Sequence, residues 1–120
     1  MQQSPAKLGL ASGERRSRRV LLKVPVVVRG CFADGTPFRE ETHTLLVSES
    51  GALILLTASV RRGETLRLTH RGTWHEVDCQ VVHIGPKQGD KTEVGIEFTH
   101  RAPQFWQIDF PPEGYKPPVG

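Results

Sequence analysis

The sequence predicts an all-β fold, a small six-stranded antiparallel barrel within a chain of 120 residues. The first observation is a series of short, β-branched apolar runs in which apolar and polar residues alternate. The second is the glycine, proline, aspartate and serine turn chemistry that separates each run from the next. Because no ten-residue helical pattern intervenes, successive strands pair as hairpins, and such a sheet closes to hide its edges.

The predicted strands cover about residues 20–29, 38–47, 51–57, 64–70, 73–85 and 92–99. In the first of them, Val24, Val26 and Val28 alternate with polar residues, as in a strand with one buried face. Pro25 interrupts this strand. Since proline cannot donate to a strand ladder, we expect an edge or a bulge at that position.

In the second strand, strict alternation places Thr42, Thr44 and Leu46 on one face. The small polar threonines indicate that this is the less buried face. The last two strands repeat the alternation with apolar residues at every second position, namely Val77, Cys79, Val81, Val94, Ile96 and Phe98.

The segment after the last strand ends at Pro111-Pro112 and carries four large apolar side chains, Phe105, Trp106, Ile108 and Phe110. We expect a short helix or turn that plugs one mouth of the barrel; an exposed apolar patch for a partner is the alternative. The predicted organisation is a flexible basic arm over 1–19, one barrel domain over 20–110 and a flexible tail over 111–120.

Positive charge is concentrated in the arm. Residues 1–19 hold five of the 16 basic and one of the 13 acidic residues, a net charge of +4, whereas the rest of the chain has a net charge of −1. Four arginines, Arg15, Arg16, Arg18 and Arg19, directly precede the first strand. Arginine binds phosphate in a bidentate manner and stacks on flat bases, so the arm predicts a phosphorylated ligand. A solvated basic leader is the alternative.

Other function classes find little support. The five histidines lack the short spacings of zinc sites, Ser48 has no nucleophile elbow, and no phosphate-loop motif occurs, so we expect no enzyme, catalytic residue, metal or cofactor. The barrel lacks the basic groove and aromatic platform of a nucleic-acid binder. No apolar run is long enough to span a membrane, and Cys31 and Cys79 are expected to be reduced thiols in a cytoplasmic protein.

Two motifs together resemble those of the PilZ domain family. Arg15-Arg16-Ser17-Arg18-Arg19, before a Val-Pro-Val strand, resembles the family's Arg-x-x-x-Arg arm. Ser48-Glu49-Ser50-Gly51 resembles the end of its Asp/Asn-x-Ser-x-x-Gly turn, and Val94-Gly95-Ile96-Glu97-Phe98 is similar to its closing strand. The resemblance extends over about residues 14–99. PilZ domains are bacterial antiparallel β-barrels, many of which bind the second messenger cyclic di-GMP and signal to a partner.

The resemblance implies a cyclic-di-GMP receptor module. Arg15 and Arg19 take the arm positions that clamp phosphate and stack on guanine, and Arg16 adds electrostatic attraction. Ser48 and Gly51 take the last two fixed positions of the turn. The implied partner is a protein of the signalling, motility or pilus machinery.

The sequence departs from the family pattern at Leu46, which occupies the first fixed position of the turn. In the family pattern a side-chain oxygen there accepts hydrogen bonds from the guanine edge, which leucine cannot do. Losing such a buried partner costs about 1–3 kcal/mol, or roughly tenfold to a hundredfold in affinity. One alternative is that Glu49, three residues further on, supplies a carboxylate from a shifted turn. The alternative hypothesis for the function is a degenerate PilZ-like interaction module that no longer binds the nucleotide.

Overall fold

The computed structural model describes residues 19–108 and residue 110. Within this range the strands are β1 (Val20–Leu21), β2 (Pro25–Cys31), β3 (Pro37–Ser48), β4 (Gly51–Leu56), β5 (Thr65–His70), β6 (Glu76–Gln88) and β7 (Lys91–Phe98). Neighbouring strands are antiparallel in the order β1-β3-β2-β5-β6-β7-β4, and a β3–β4 pairing closes the sheet. The described chain is thus a closed six-stranded barrel plus one short strand, which confirms the predicted fold class. The arm over 1–18 and the tail over 111–120 lie outside the described residues.

The first predicted strand is divided into β1 and β2 by the residues around Lys23. Both pieces pair with β3. In β1, Val20 lies opposite Val47, and in β2 the pairing begins with Pro25 opposite His43. The side chain of Thr44 fills the gap in the ladder: its Oγ1 accepts a hydrogen bond from the amide of Val24 at 2.9 Å and donates to the carbonyl of Leu22 at 2.5 Å. Pro25 starts β2, where its missing N–H leaves no gap inside the strand.

The expectation that Thr42, Thr44 and Leu46 share a poorly buried face is wrong. The register between β3 and β4 shifts between Thr44 and Leu46, and this bulge breaks the alternation of faces. Thr44 and Val47 are fully buried as a result. Leu46 points away from the core and is only half-buried.

Replacing Thr44 by valine should destabilise the barrel by about 2–4 kcal/mol. The two side chains are similar in shape, but valine leaves the buried Val24 amide and the Leu22 carbonyl without the hydroxyl, at about 1–3 kcal/mol for each buried group. Urea unfolding measures the difference. Thr44→Ser keeps the hydroxyl and should cost less; equal losses for the two variants would contradict this role of the hydroxyl.

The segment after β7 plugs the barrel, as the sequence predicts, but it is a pair of turns without a helix in its described part. The amide of Phe105 donates to Ala102 and that of Gln107 to Gln104, both at 3.0 Å. Phe105 and Trp106 are 5% and 3% exposed and belong to the main apolar core. Among the described side chains, the indole Nε1 of Trp106 is a buried polar atom without a hydrogen-bond partner.

His70, at the end of β5, joins this plug to the β5–β6 turn. Its ring lies 5.9 Å from the Phe105 ring and 6.1 Å from the Trp106 ring, centroid to centroid. Its Nδ1 accepts hydrogen bonds from the amides of Gly72 at 2.9 Å and Thr73 at 3.3 Å. Burial lowers the pKa of His70 below its ordinary value of 6.5. Protonation of Nδ1 would break both hydrogen bonds.

The stability of the fold should therefore fall as the pH is lowered below about 6.5. An imidazole whose pKa is depressed by folding binds a proton more readily in the unfolded chain, so its contribution is complete above the unfolded pKa and is lost below it. His43 acts in the same direction, because burial and then Lys23 and Lys91 lower its pKa. Melting temperatures between pH 8 and pH 5 measure the effect. His70→Asn, which keeps an acceptor and does not titrate, should flatten the curve; an unchanged curve would contradict the role of His70.

Candidate ligand-binding site

A cavity of about 480 Å³ lies on the outer surface of the barrel where β3, β4 and β7 meet the residue before β1. Its volume is within the range of small-molecule sites. Three residues that the sequence predicts as ligand contacts line it together, Arg19, Ser48 and Gly51. Leu46, at the departure from the family motif, lines it too.

The floor of the cavity follows from the strand register. It is an apolar row of successive cross-strand partners that ends in an imidazole: Leu46, Leu53, Gly95 and His83. Leu21, the partner of Leu46 on β1, extends this row beyond the cavity lining. Neighbouring strands lie about 4.8 Å apart, so the row spans several side chains across the sheet. The floor therefore offers an apolar surface wide enough for a planar ring.

A second, polar row lies two residues further along the strands. Ser48 pairs with Gly51, and Gly51 pairs with Glu97. Gly51 has no left-handed backbone conformation that would explain a glycine. A Cβ at this position would instead overlap the carbonyl oxygen of Ile96. The close approach of β4 and β7 thus requires glycine, and the Ile96 carbonyl occupies the space that a side chain at position 51 would take.

Ser48 and Arg19 provide polar groups that line the cavity. The Oγ of Ser48 accepts a hydrogen bond from the amide of Ser50 at 3.3 Å, which shapes the β3–β4 turn and leaves the hydroxyl hydrogen for donation. Arg19 is exposed and lines the same cavity. The predicted contacts Arg15 and Arg16 lie outside the described residues.

A match to the model of a known protein family shows which family this chain belongs to. The family model for the PilZ domain matches residues 14–105, which include the cavity, the β3–β4 turn and the start of the plug. The chain belongs to the PilZ domain family. No curated protein matches the sequence.

Solved structures show the same fold at low sequence identity. The Bacillus subtilis inhibitor of motility (MotI/DgrA) matches with a TM-score of 0.57 and 19% identity over 77% of this chain and 45% of that protein. The PilZ domain of CeSA from a cellulose-synthesizing bacterium matches with a TM-score of 0.54 and 18% identity over 73% of this chain and 86% of that one. The PilZ domain of Escherichia coli YcgR, solved with c-di-GMP, matches with a TM-score of 0.53 and 19% identity over 77% of this chain and 82% of that one. This chain thus spans less than half of the inhibitor of motility.

The cavity of this PilZ domain also contains residues that the sequence did not indicate as ligand contacts: Leu53, His83, Glu93, Gly95 and Glu97. The His83 side chain packs over Gly95, where an added Cβ would lie 3.0 Å from the Cβ of His83. Three of these residues, Glu93, Gly95 and Glu97, could have been identified from the alternation in the closing strand, because they alternate with buried Val94 and Ile96.

Other chemistry is limited in the described part of the PilZ domain. No group of three or more potential metal ligands comes together there. Cys31 is exposed, Cys79 is buried, and both are free thiols; burial raises the pKa of Cys79 to about 12, so this thiol is not a nucleophile at neutral pH. The described chain contains no apolar helix long enough to cross a membrane.

Proposed function

We propose that this PilZ domain is a cyclic-di-GMP receptor that binds the nucleotide through its arm arginines and its β3–β4 turn. The observation that carries the proposal is the meeting of Arg19, Ser48 and Gly51 in one cavity of about 480 Å³. The YcgR PilZ domain, which has the same fold, is solved with c-di-GMP. The function is ligand binding and not catalysis.

The distribution of arginines on the barrel supports a role for the arm. On the β2-β5-β6 face the guanidinium of Arg67 pairs with Glu76 at 3.2 Å and with Asp78 at 3.1 Å. Arg71 pairs with Glu41 at 3.3 Å on the same side. Because these cations are neutralised by carboxylates, the positive charge that meets a phosphate at the cavity comes from Arg19 and the residues before it.

Signalling follows from closure of the arm. The two phosphates of the ligand draw Arg15 and Arg19 onto the cavity, with Arg16 adding attraction. The closed arm covers the apolar row and presents a new surface to a protein partner of the signalling, motility or pilus machinery. Ligand binding thereby changes the surface that the barrel presents to its partner.

Calorimetric titration with cyclic di-GMP, with GTP as the control nucleotide, tests the proposal. We expect saturable 1:1 or 2:1 binding of cyclic di-GMP and much weaker binding of GTP. Amide exchange in residues 14–19 should slow when the ligand is present. No binding of cyclic di-GMP would contradict the proposed function.

A second candidate function is a protein-interaction module that has lost the nucleotide. Leu46 favours it, since the leucine removes an acceptor and extends an apolar row to Leu21, which is 85% exposed. In that case the exposed row would contact the partner directly. The titration separates the two functions, because this candidate requires no nucleotide binding.

A further inference from the structure

With leucine at position 46, another group in the cavity must accept the hydrogen bonds of a bound guanine. The Watson–Crick edge of guanine presents two adjacent donors, N1–H and the N2 amino group. A carboxylate matches these two donors with its two oxygens, and such charge-assisted hydrogen bonds are among the stronger ones. The cavity contains two carboxylates, Glu93 and Glu97.

The two carboxylates differ in their surroundings, although both are on the outward face of β7. The carboxylate of Glu93 accepts a hydrogen bond from Nε2 of Gln88 at 2.5 Å, and the backbone of Glu93 pairs with Leu55, away from the turn. Within residues 19–108, no hydrogen bond or ion pair engages the exposed side chain of Glu97. Glu97 is therefore the carboxylate that is available to a ligand.

The position of Glu97 fits this role. Its direct cross-strand partner is Gly51, and the partner of Gly51 on the other side is Ser48. Neighbouring strands lie about 4.8 Å apart, and β4 lies between Ser48 and Glu97 at Gly51, so these two residues are about two strand spacings apart. A planar base can lie in the cavity that they line, with one edge toward the carboxylate and with its sugar-phosphate toward Ser48 and Arg19.

We propose that Glu97 recognises the guanine edge of the nucleotide and takes over the acceptor role that Leu46 cannot perform. This inference rests on the proposed function, because it assigns a residue of the same cavity. It also predicts a base preference. Hypoxanthine lacks the N2 amino group and adenine presents an acceptor at N1, so both should bind less tightly than guanine.

The test compares Glu97→Gln with Asp90→Asn, two variants that each remove one carboxylate charge; Asp90 is exposed in the turn between β6 and β7 and lies outside the cavity lining. Calorimetry with cyclic di-GMP, cyclic di-IMP and cyclic di-AMP is performed on each variant and on the unaltered chain. We expect Glu97→Gln to weaken cyclic di-GMP binding about tenfold or more and to reduce the preference over cyclic di-IMP. Asp90→Asn should change neither quantity by more than about twofold, because screening leaves little attraction or repulsion beyond about 10 Å at 0.1 M salt. Melting temperatures verify that both variants are folded.

The outcomes separate this inference from the proposed function. If the unaltered chain binds cyclic di-GMP and Glu97→Gln keeps both the affinity and the base preference, the role of Glu97 is overturned and the receptor function stands. Equal losses in Glu97→Gln and Asp90→Asn would indicate a general charge effect and would also overturn it. If the unaltered chain binds none of the three nucleotides, the receptor function is overturned together with the role of Glu97.

Discussion

Replacing both Arg15 and Arg19 by alanine should weaken cyclic-di-GMP binding more than a hundredfold without changing the melting temperature. Each guanidinium is proposed to make charge-assisted hydrogen bonds to phosphate, and hydrogen bonds to charged groups are worth about 1.5–3 kcal/mol each. Two lost contacts therefore correspond to at least about 3 kcal/mol, or over two decades of affinity. Arg19 is exposed, so its replacement removes no core contact.

Lys87→Ala provides the control. Lys87 is exposed near the end of β6, and its replacement removes one positive charge outside the cavity lining. Its affinity should stay within about twofold of that of the unaltered chain, because screening leaves little attraction beyond about 10 Å at 0.1 M salt. A similar loss for Lys87→Ala and for the double variant would show that only net charge matters and would remove the arm from the mechanism.

The sequence predicted the barrel because its strands have one buried face. Alternation of apolar and polar residues reports burial directly, and five of the six predicted strands correspond to β3 to β7 with small differences at their ends. The division of the first strand was signalled only by Pro25. The β3 bulge was not signalled at all, because the register of β3 against β4 depends on the whole sheet.

The candidate site was predictable only where a motif marks it. Ser48, Gly51 and Arg19 occupy motif positions for which the resemblance implies ligand contacts. Glu97, in the closing strand, and His83 instead reach the cavity through the register of β4, β6 and β7. Register depends on the whole sheet and is not a local property of the sequence. At Gly51 the structure adds a reason for glycine that the motif does not give, the close approach of the Ile96 carbonyl.

Leu46→Asp should raise the affinity of the Glu97→Gln variant for cyclic di-GMP at least tenfold, and that of the unaltered chain by less. Position 46 faces the cavity as a result of the bulge, so an aspartate there restores an acceptor for the guanine edge. One or two charge-assisted hydrogen bonds of about 1.5–3 kcal/mol account for the gain. One guanine edge has donors for one carboxylate, so the new carboxylate and that of Glu97 would compete, and their effects should not add.

Val47→Asp is the structural control for this cycle. Val47 is fully buried beside half-buried Leu46, so an aspartate at 47 places an unpaired charge in the core and should unfold the barrel. Leu46→Asp should instead lower the melting temperature only slightly, because its carboxylate reaches the cavity and water. If Leu46→Asp destabilises the chain as much as Val47→Asp and gains no affinity, position 46 belongs to the core. If Leu46→Asp raises the affinity for cyclic di-GMP equally in the unaltered chain and in the Glu97→Gln variant, the two carboxylates act on different parts of the ligand. Glu97 then does not replace the missing acceptor.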